Sequence, residues 1–114
     1  MDKIIEYIYR MIVELESLSL QRKLWLNQNN DTGLISSFNE LMSSLFDDFS
    51  FDDFVENGAK KIGLPNSLII ELKKLREMLN SYVEKESDEE IINDPEWKKI
   101  GEQAKIVIKE WGRM

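Results

Sequence analysis

Apolar residues recur along this chain at spacings of three and four, the period of a helix that buries one face. Ile4, Ile5, Ile8, Ile12, Leu15 and Leu18 form the first stripe, with Asp2 placed to cap it. This helix is predicted to reach about residue 20, with continuation possible through RKLWLN. NQNNDTG, residues 27–33, reads as a loop, because Asn, Asp and Gly favour turns over helix interiors. Leu34, Ile35, Phe38, Leu41, Met42 and Leu45 predict a second helix. Ser50, with Asp53 three residues on, has the form of a capping box. It would open a third helix through FDDFVENGAKKI, ending near Gly63, with Lys60 and Lys61 in the last turn where the helix dipole favours cations. Gly58 inside it costs about 1 kcal/mol against Ala and predicts a kinked or short helix.

Pro65 restarts the chain, with Asn66 or Ser67 available as a cap. Leu68, Ile69, Leu72, Leu75, Met78, Leu79, Tyr82 and Val83 predict a long fourth helix to about residue 85. SDEE, residues 87–90, can open a short helical turn. Asp94 then caps, Pro95 takes the first helical position, and Gly112 can end the last helix. Trp97, Ile100, Ala104, Val107 and Trp111 lie on one side of that helix. The expected fold is all-α, a single compact bundle of about five helices covering residues 1–114 with mostly short connections. Trp97 and Trp111 are expected in the core. Trp25, beside a polar loop, is the tryptophan expected at the surface.

Length and composition narrow the chemistry. A chain of 114 residues, 42% hydrophobic, suits one domain with one core. It carries no Cys and no His. Ser-His-Asp and Cys-His sites, histidine-ligated zinc and disulfides are therefore excluded. No cofactor or metal is expected, and a binding protein is expected rather than an enzyme. The charged residues of MDKIIEYIYRMIVELESL interrupt any apolar run, so no signal peptide or spanning segment is expected. A cytoplasmic location follows as the expectation. The formal charge of −7 opposes direct nucleic-acid binding and permits a basic protein partner.

Residues 46–54, FDDFSFDDF, concentrate the candidate chemistry. Phe46, Phe49, Phe51 and Phe54 bracket a helix-to-helix turn and can all point inward. Asp52 and Asp53 suit the first turn of the third helix, where negative charge is stabilising. Asp47 and Asp48 have no such role, because they fall at the C-terminal end of the second helix, where the dipole disfavours anions. From Glu40 to Glu56 six acids face no base, so the stretch reads either as a solvated helix-to-helix turn or, since Asp47 and Asp48 break a local rule without visible compensation, as a surface for a protein partner. The spacing does not fit an EF-hand calcium loop. A second run, residues 84–96, sets seven acids against one lysine, but its acids fall mainly at caps and in first turns. The last helix is basic, through Lys98, Lys99, Lys105, Lys109 and Arg113, and can pair with an acidic surface of the same chain.

The segment INDPEWKKIGEQAKIVIKEW, with Asp94-Pro95 as helix start followed by Trp97, Ile100 and Ala104, resembles the closing helix of several small bacterial immunity proteins. Those proteins neutralise toxin domains of contact-dependent growth inhibition and related polymorphic-toxin systems. The resemblance implies a small acidic cytoplasmic protein that binds one toxin, often a nuclease, and blocks its active site. No binding residue is carried over from it.

Electrostatics leads to the same expectation. A nuclease holds phosphates with Lys and Arg, and a rigid acidic protein can occupy that cleft with carboxylates in place of phosphates. The expected partner is a cognate basic protein toxin, with no direct nucleic-acid or membrane contact. The expected contact residues are Asp47, Asp48, Asp52, Asp53 and Glu56, with Phe49 or Phe51 as apolar anchor. The alternatives are a helical adaptor or homodimer that pairs apolar faces, and an acidic nucleic-acid mimic of phage origin.

Overall fold

Ser17 leaves helical geometry, at φ −97° and ψ 99°, and divides the predicted N-terminal helix in two. Its hydroxyl accepts a hydrogen bond from the Leu20 N–H, so the break is also a cap. The computed structural model describes residues 3–113. Helix α1 is Lys3–Glu16 and α2 is Leu18–Trp25. The proposed cap Asp2 lies outside the described residues.

Helix α3 begins at Phe38, not at Leu34. Ser37 caps it by accepting from the Glu40 N–H, while Leu34 and Ile35 stay exposed in the preceding loop. Phe38–Met42 is α-helical and continues as a π-helical stretch, Ser43–Asp48. Helix α4 opens as Phe51–Asp53, widens to π-helical turns over Phe54–Gly58 and closes as Ala59–Lys61. Gly63, at φ 81°, ends it, with the Leu64 N–H donating back to the Ala59 carbonyl.

Helix α5 is Asn66–Ser81. Pro65 occupies its cap position without a side-chain acceptor, so neither Asn66 nor Ser67 serves as the cap. It stops short of residue 85 because Tyr82 turns extended, which leaves Val83 exposed. Helix α6 is Asp88–Ile92, capped by Ser87, and α7 is Pro95–Trp111, capped by Asp94. The described residues thus form an all-α fold of seven helices rather than about five, with no strand. The break at Ser17 and the short α6 account for the two extra.

Helix α7 lies against both α1 and α5 and supplies the centre of the core through Trp97, Ile100, Ala104, Val107 and Trp111. Trp97 is fully buried, its ring 5.4 Å from Phe38, 5.2 Å from Tyr82 and 5.9 Å from Trp25. Trp25 is therefore a core residue, contrary to expectation. Its Nε1 donates to the Glu14 carboxylate at 2.9 Å, which satisfies the one polar atom that burial would strand. Among the described residues no helix is long and apolar enough to cross a membrane.

Tyr82 and Asp94 close the rim of this cluster. The Tyr82 hydroxyl donates to Asp94 Oδ2 at 2.8 Å, and Asp94 Oδ1 accepts from the Glu96 N–H. The Tyr82 hydrogen bond, aided by the Glu96 N–H and Lys85, holds the Asp94 carboxyl below its ordinary range against the opposing effect of desolvation. Burial first, then the bond to Asp94, pushes the Tyr82 phenol above its ordinary value. A lowered carboxylate contributes stability that is present above about pH 4 and lost as pH falls through the lowered value. A raised phenol contributes stability that is present below about pH 10 and lost as pH rises through the raised value. Melting temperature against pH should fall at both ends, and Tyr82→Phe should flatten both limbs. An unchanged profile would show that this pair does not titrate differently on unfolding.

Candidate functional site

The FDDFSFDDF corner is built by backbone geometry that its letters conceal. A π-helical turn bonds residues five apart and so accommodates one more residue than an α-turn. In α3 the Phe49 N–H donates to the Ser44 carbonyl at 3.0 Å. Ser50 then takes the left-handed conformation, at φ 48° and ψ 56°. An N-cap needs extended backbone. Ser50 is instead the left-handed residue that follows α3, and its side chain makes no capping bond. The predicted Ser50–Asp53 capping box is thus corrected. Asp53 accepts from Asn57 Nδ2 at 2.9 Å, within its own helix.

The four phenylalanines divide. Phe51 is wholly buried and Phe54 nearly so. Phe46 is half-buried and meets Phe51 edge to face at 5.6 Å. Phe49 is half-buried and stacks on Tyr7 of α1, ring centres 5.4 Å apart. Phe51 is therefore corrected from surface anchor to core residue, since it exposes nothing to a partner. Phe49 keeps its place at the surface.

The acids divide as well. Arg76 reaches across from α5 with its side chain 12% exposed. One guanidinium nitrogen pairs with Glu56, another lies 2.9 Å from Glu77, and Nε stands 3.9 Å from Asp52. The Glu56 bond is the main influence pushing the Arg76 pKa up from its ordinary value. Asp52 also accepts from Asn80 Nδ2 at 3.3 Å. The stretch that lacks a base in sequence thus acquires one by folding. Asp52 and Glu56 have partners within the chain, which weakens their case as free contacts.

Asp47 and Asp48 are exposed, and among the described residues neither forms an ion pair. The basic last helix does not reach them. Lys99 pairs with Glu96, and Arg113 with Glu110, all in or beside α7. Replacing Asp47 and Asp48 together by Asn should leave stability unchanged or raise it by up to about 1 kcal/mol, because anions leave a helix C-terminus. Urea unfolding measures this. A clear loss of stability would mean that the two carboxylates support the fold.

Behind the acids a groove of about 320 Å³ opens between α1 and the corner. Ile4, Ile5, Phe49, Phe54 and Ile62 line it together with the polar residues Asp48, Ser50 and Asp53. Gly58 helps shape it. A Cβ there would lie 3.3 Å from the Phe54 ring, so the glycine lets that ring lie close to the helix. None of Ile4, Ile5 or Ile62 figures among the sequence-derived candidates. Their signal is faint, since each reads only as another apolar residue in a helical stripe.

In the second acidic run Asp94 is a cap, while Asp88, Glu89, Glu90 and Glu96 lie in the first turns of α6 and α7, where the helix dipole favours anions. Ser87 accepts from the Glu90 N–H, and Asp94 from the Glu96 N–H. Among the described residues, no group of three or more acidic side chains is arranged to hold a metal ion. No protein-family model matches the chain, and neither a curated protein nor a solved structure shows significant similarity to it.

Proposed function

We propose that this chain is a non-enzymatic immunity or inhibitor protein that sequesters a basic toxin domain of the nuclease class. The contact surface in this reading is the acidic corner between α3 and α4. The observation that carries it is the position of Asp47 and Asp48. They stand exposed, without a cation partner among the described residues, at a helix end that disfavours anions. A cleft lined with Lys and Arg for phosphate would supply the missing cations, and complementary charge would speed association and select the partner. The likeness of residues 92–111 to immunity-protein helices supports the same reading.

Such a protein is expected to be encoded directly downstream of its toxin. Co-expression with that upstream product should rescue growth and yield a stable complex, and the chain alone should turn over no substrate. Failure to form the complex would count against the reading. So would hydrolase or nuclease activity that disappears on changing one Asp or Glu. The second reading is a helical adaptor or homodimer, favoured by Ile70 on α5 and Ile106 on α7, which are 53% and 44% exposed. Sedimentation of the isolated chain as a dimer would favour it.

A further inference from the structure

The acidic corner has an apolar floor, and charge alone gives that floor no purpose. Ile62 is 45% exposed at the end of α4, and Tyr7, which backs Phe49, is 45% exposed on α1. Ligand pockets commonly measure roughly 300–1,000 Å³. At about 320 Å³ this groove is at the small end of that range, with room for a large side chain. Asp48 and Asp53 also line it, and the only hydrogen bond or ion pair made by either side chain among the described residues is the Asn57 bond to Asp53. Resting on the acidic-surface reading, we infer that the groove receives one large apolar side chain of the basic partner, inserted between two of its cations.

Each alternative occupant meets an electrostatic objection. A second copy that met this groove with its own acidic corner would set like charges against Asp48 and Asp53. An anionic lipid surface is repelled by the same carboxylates. A segment that carries an aliphatic or aromatic residue flanked by Lys or Arg satisfies both parts of the site at once. Its apolar side chain covers Ile62 and Phe49, and its cations meet Asp48 and Asp53. This is the arrangement of a buried anchor with a polar rim that interface hot spots share.

The test uses two synthetic helical peptides of equal charge, titrated into the isotopically labelled full chain at low salt. One carries a central Leu with Arg four residues to either side, and the other has Ser in place of Leu. The Leu peptide is expected to bind about tenfold tighter or more and to shift the amides of Tyr7, Phe49 and Ile62. Ile62→Ser, at a half-exposed position, should abolish that preference while leaving the circular dichroism unchanged. Asp48→Asn should weaken both peptides alike. Equal binding of the two peptides, with Ile62→Ser silent and Asp48→Asn still weakening, would overturn the apolar anchor and leave the acidic surface standing. A Leu preference that ignores Asp48→Asn would overturn the basic character of the partner. Binding by neither peptide would overturn the groove inference, and the toxin titration with altered Asp47 and Asp48 would then decide the acidic surface separately.

Discussion

Truncating Trp97 to Ala is expected to destabilise the protein by about 3–5 kcal/mol. The side chain is fully buried where α7 meets the ends of α2, α3 and α5, in contact with Trp25, Phe38 and Tyr82. Removing it takes away apolar burial and leaves a cavity lined by three rings held on separate segments of the chain, which limits collapse of the hole. It also deprives the Gln21 side-chain oxygen of its donor. A domain of this size is typically stable by only about 5–15 kcal/mol, so the variant should be near the limit of folding. Urea unfolding followed by circular dichroism provides the measurement. A loss below about 1.5 kcal/mol would mean that the aromatic cluster repacks without Trp97.

Gln21→Leu is expected to cost about 2–4 kcal/mol although it replaces a polar side chain by an apolar one of similar size. Gln21 is completely buried. Its Nε2 donates to the carbonyls of Glu14 and Leu15, at 2.8 and 3.0 Å, and its Oε1 accepts from Trp97 Nε1 at 2.9 Å. One side chain thus satisfies two carbonyls at the end of α1 and the buried N–H of α7. Leu fills the space but strands the buried Leu15 carbonyl and Trp97 N–H and unpairs the part-buried Glu14 carbonyl; each stranded buried group costs about 1–3 kcal/mol, partly offset by the apolar burial of Leu. Trp97→Phe removes the donor from the other side. The double variant should cost less than the sum of the singles, with a coupling of about 0.5–3 kcal/mol. Strict additivity would show that the Gln21–Trp97 bond contributes nothing.

The same contacts explain which parts of the fold could be read from the sequence. Helix α7 was legible end to end because its signals are local. Asp94 caps, Pro95 opens, and the Trp97 to Trp111 stripe keeps one helical face. The break at Ser17 was not legible. The spacing from Leu15 to Leu18 stays helical, and the break rests on Gln21 gripping the α1 carbonyls. Leu34 and Ile35 also keep helical spacing, yet the Ser36 N–H is bonded to the Leu24 carbonyl and its hydroxyl to Glu14, which ties that stretch down as a loop. Trp25 shows that proximity to a polar loop in sequence is no measure of exposure.

At the candidate site, the sequence revealed the acids but not their partners. The left-handed Ser50 and the π-helical turns on either side of it go with a particular packing of four phenylalanines, which no cap rule encodes. Arg76 left a trace. It falls four residues after Leu72 and three before Leu79, on the flank of the buried stripe of α5. A cation at such a position needs carboxylates nearby, and Asp52, Glu56 and Glu77 supply them. That leaves Asp47, Asp48 and Asp53, beside Phe49, as the acids best able to meet a partner.

Titrating the Asp47→Asn, Asp48→Asn double variant against the cognate toxin domain by calorimetry tests the proposed surface most directly. The variant should keep its fold and bind more weakly, by about 2 kcal/mol or more for each charge contact at the centre of the interface. Raised salt should slow association of the unaltered pair and affect the variant less. Unchanged affinity in a folded variant would contradict the acidic α3–α4 corner as the binding surface and direct attention to the acids of residues 84–96.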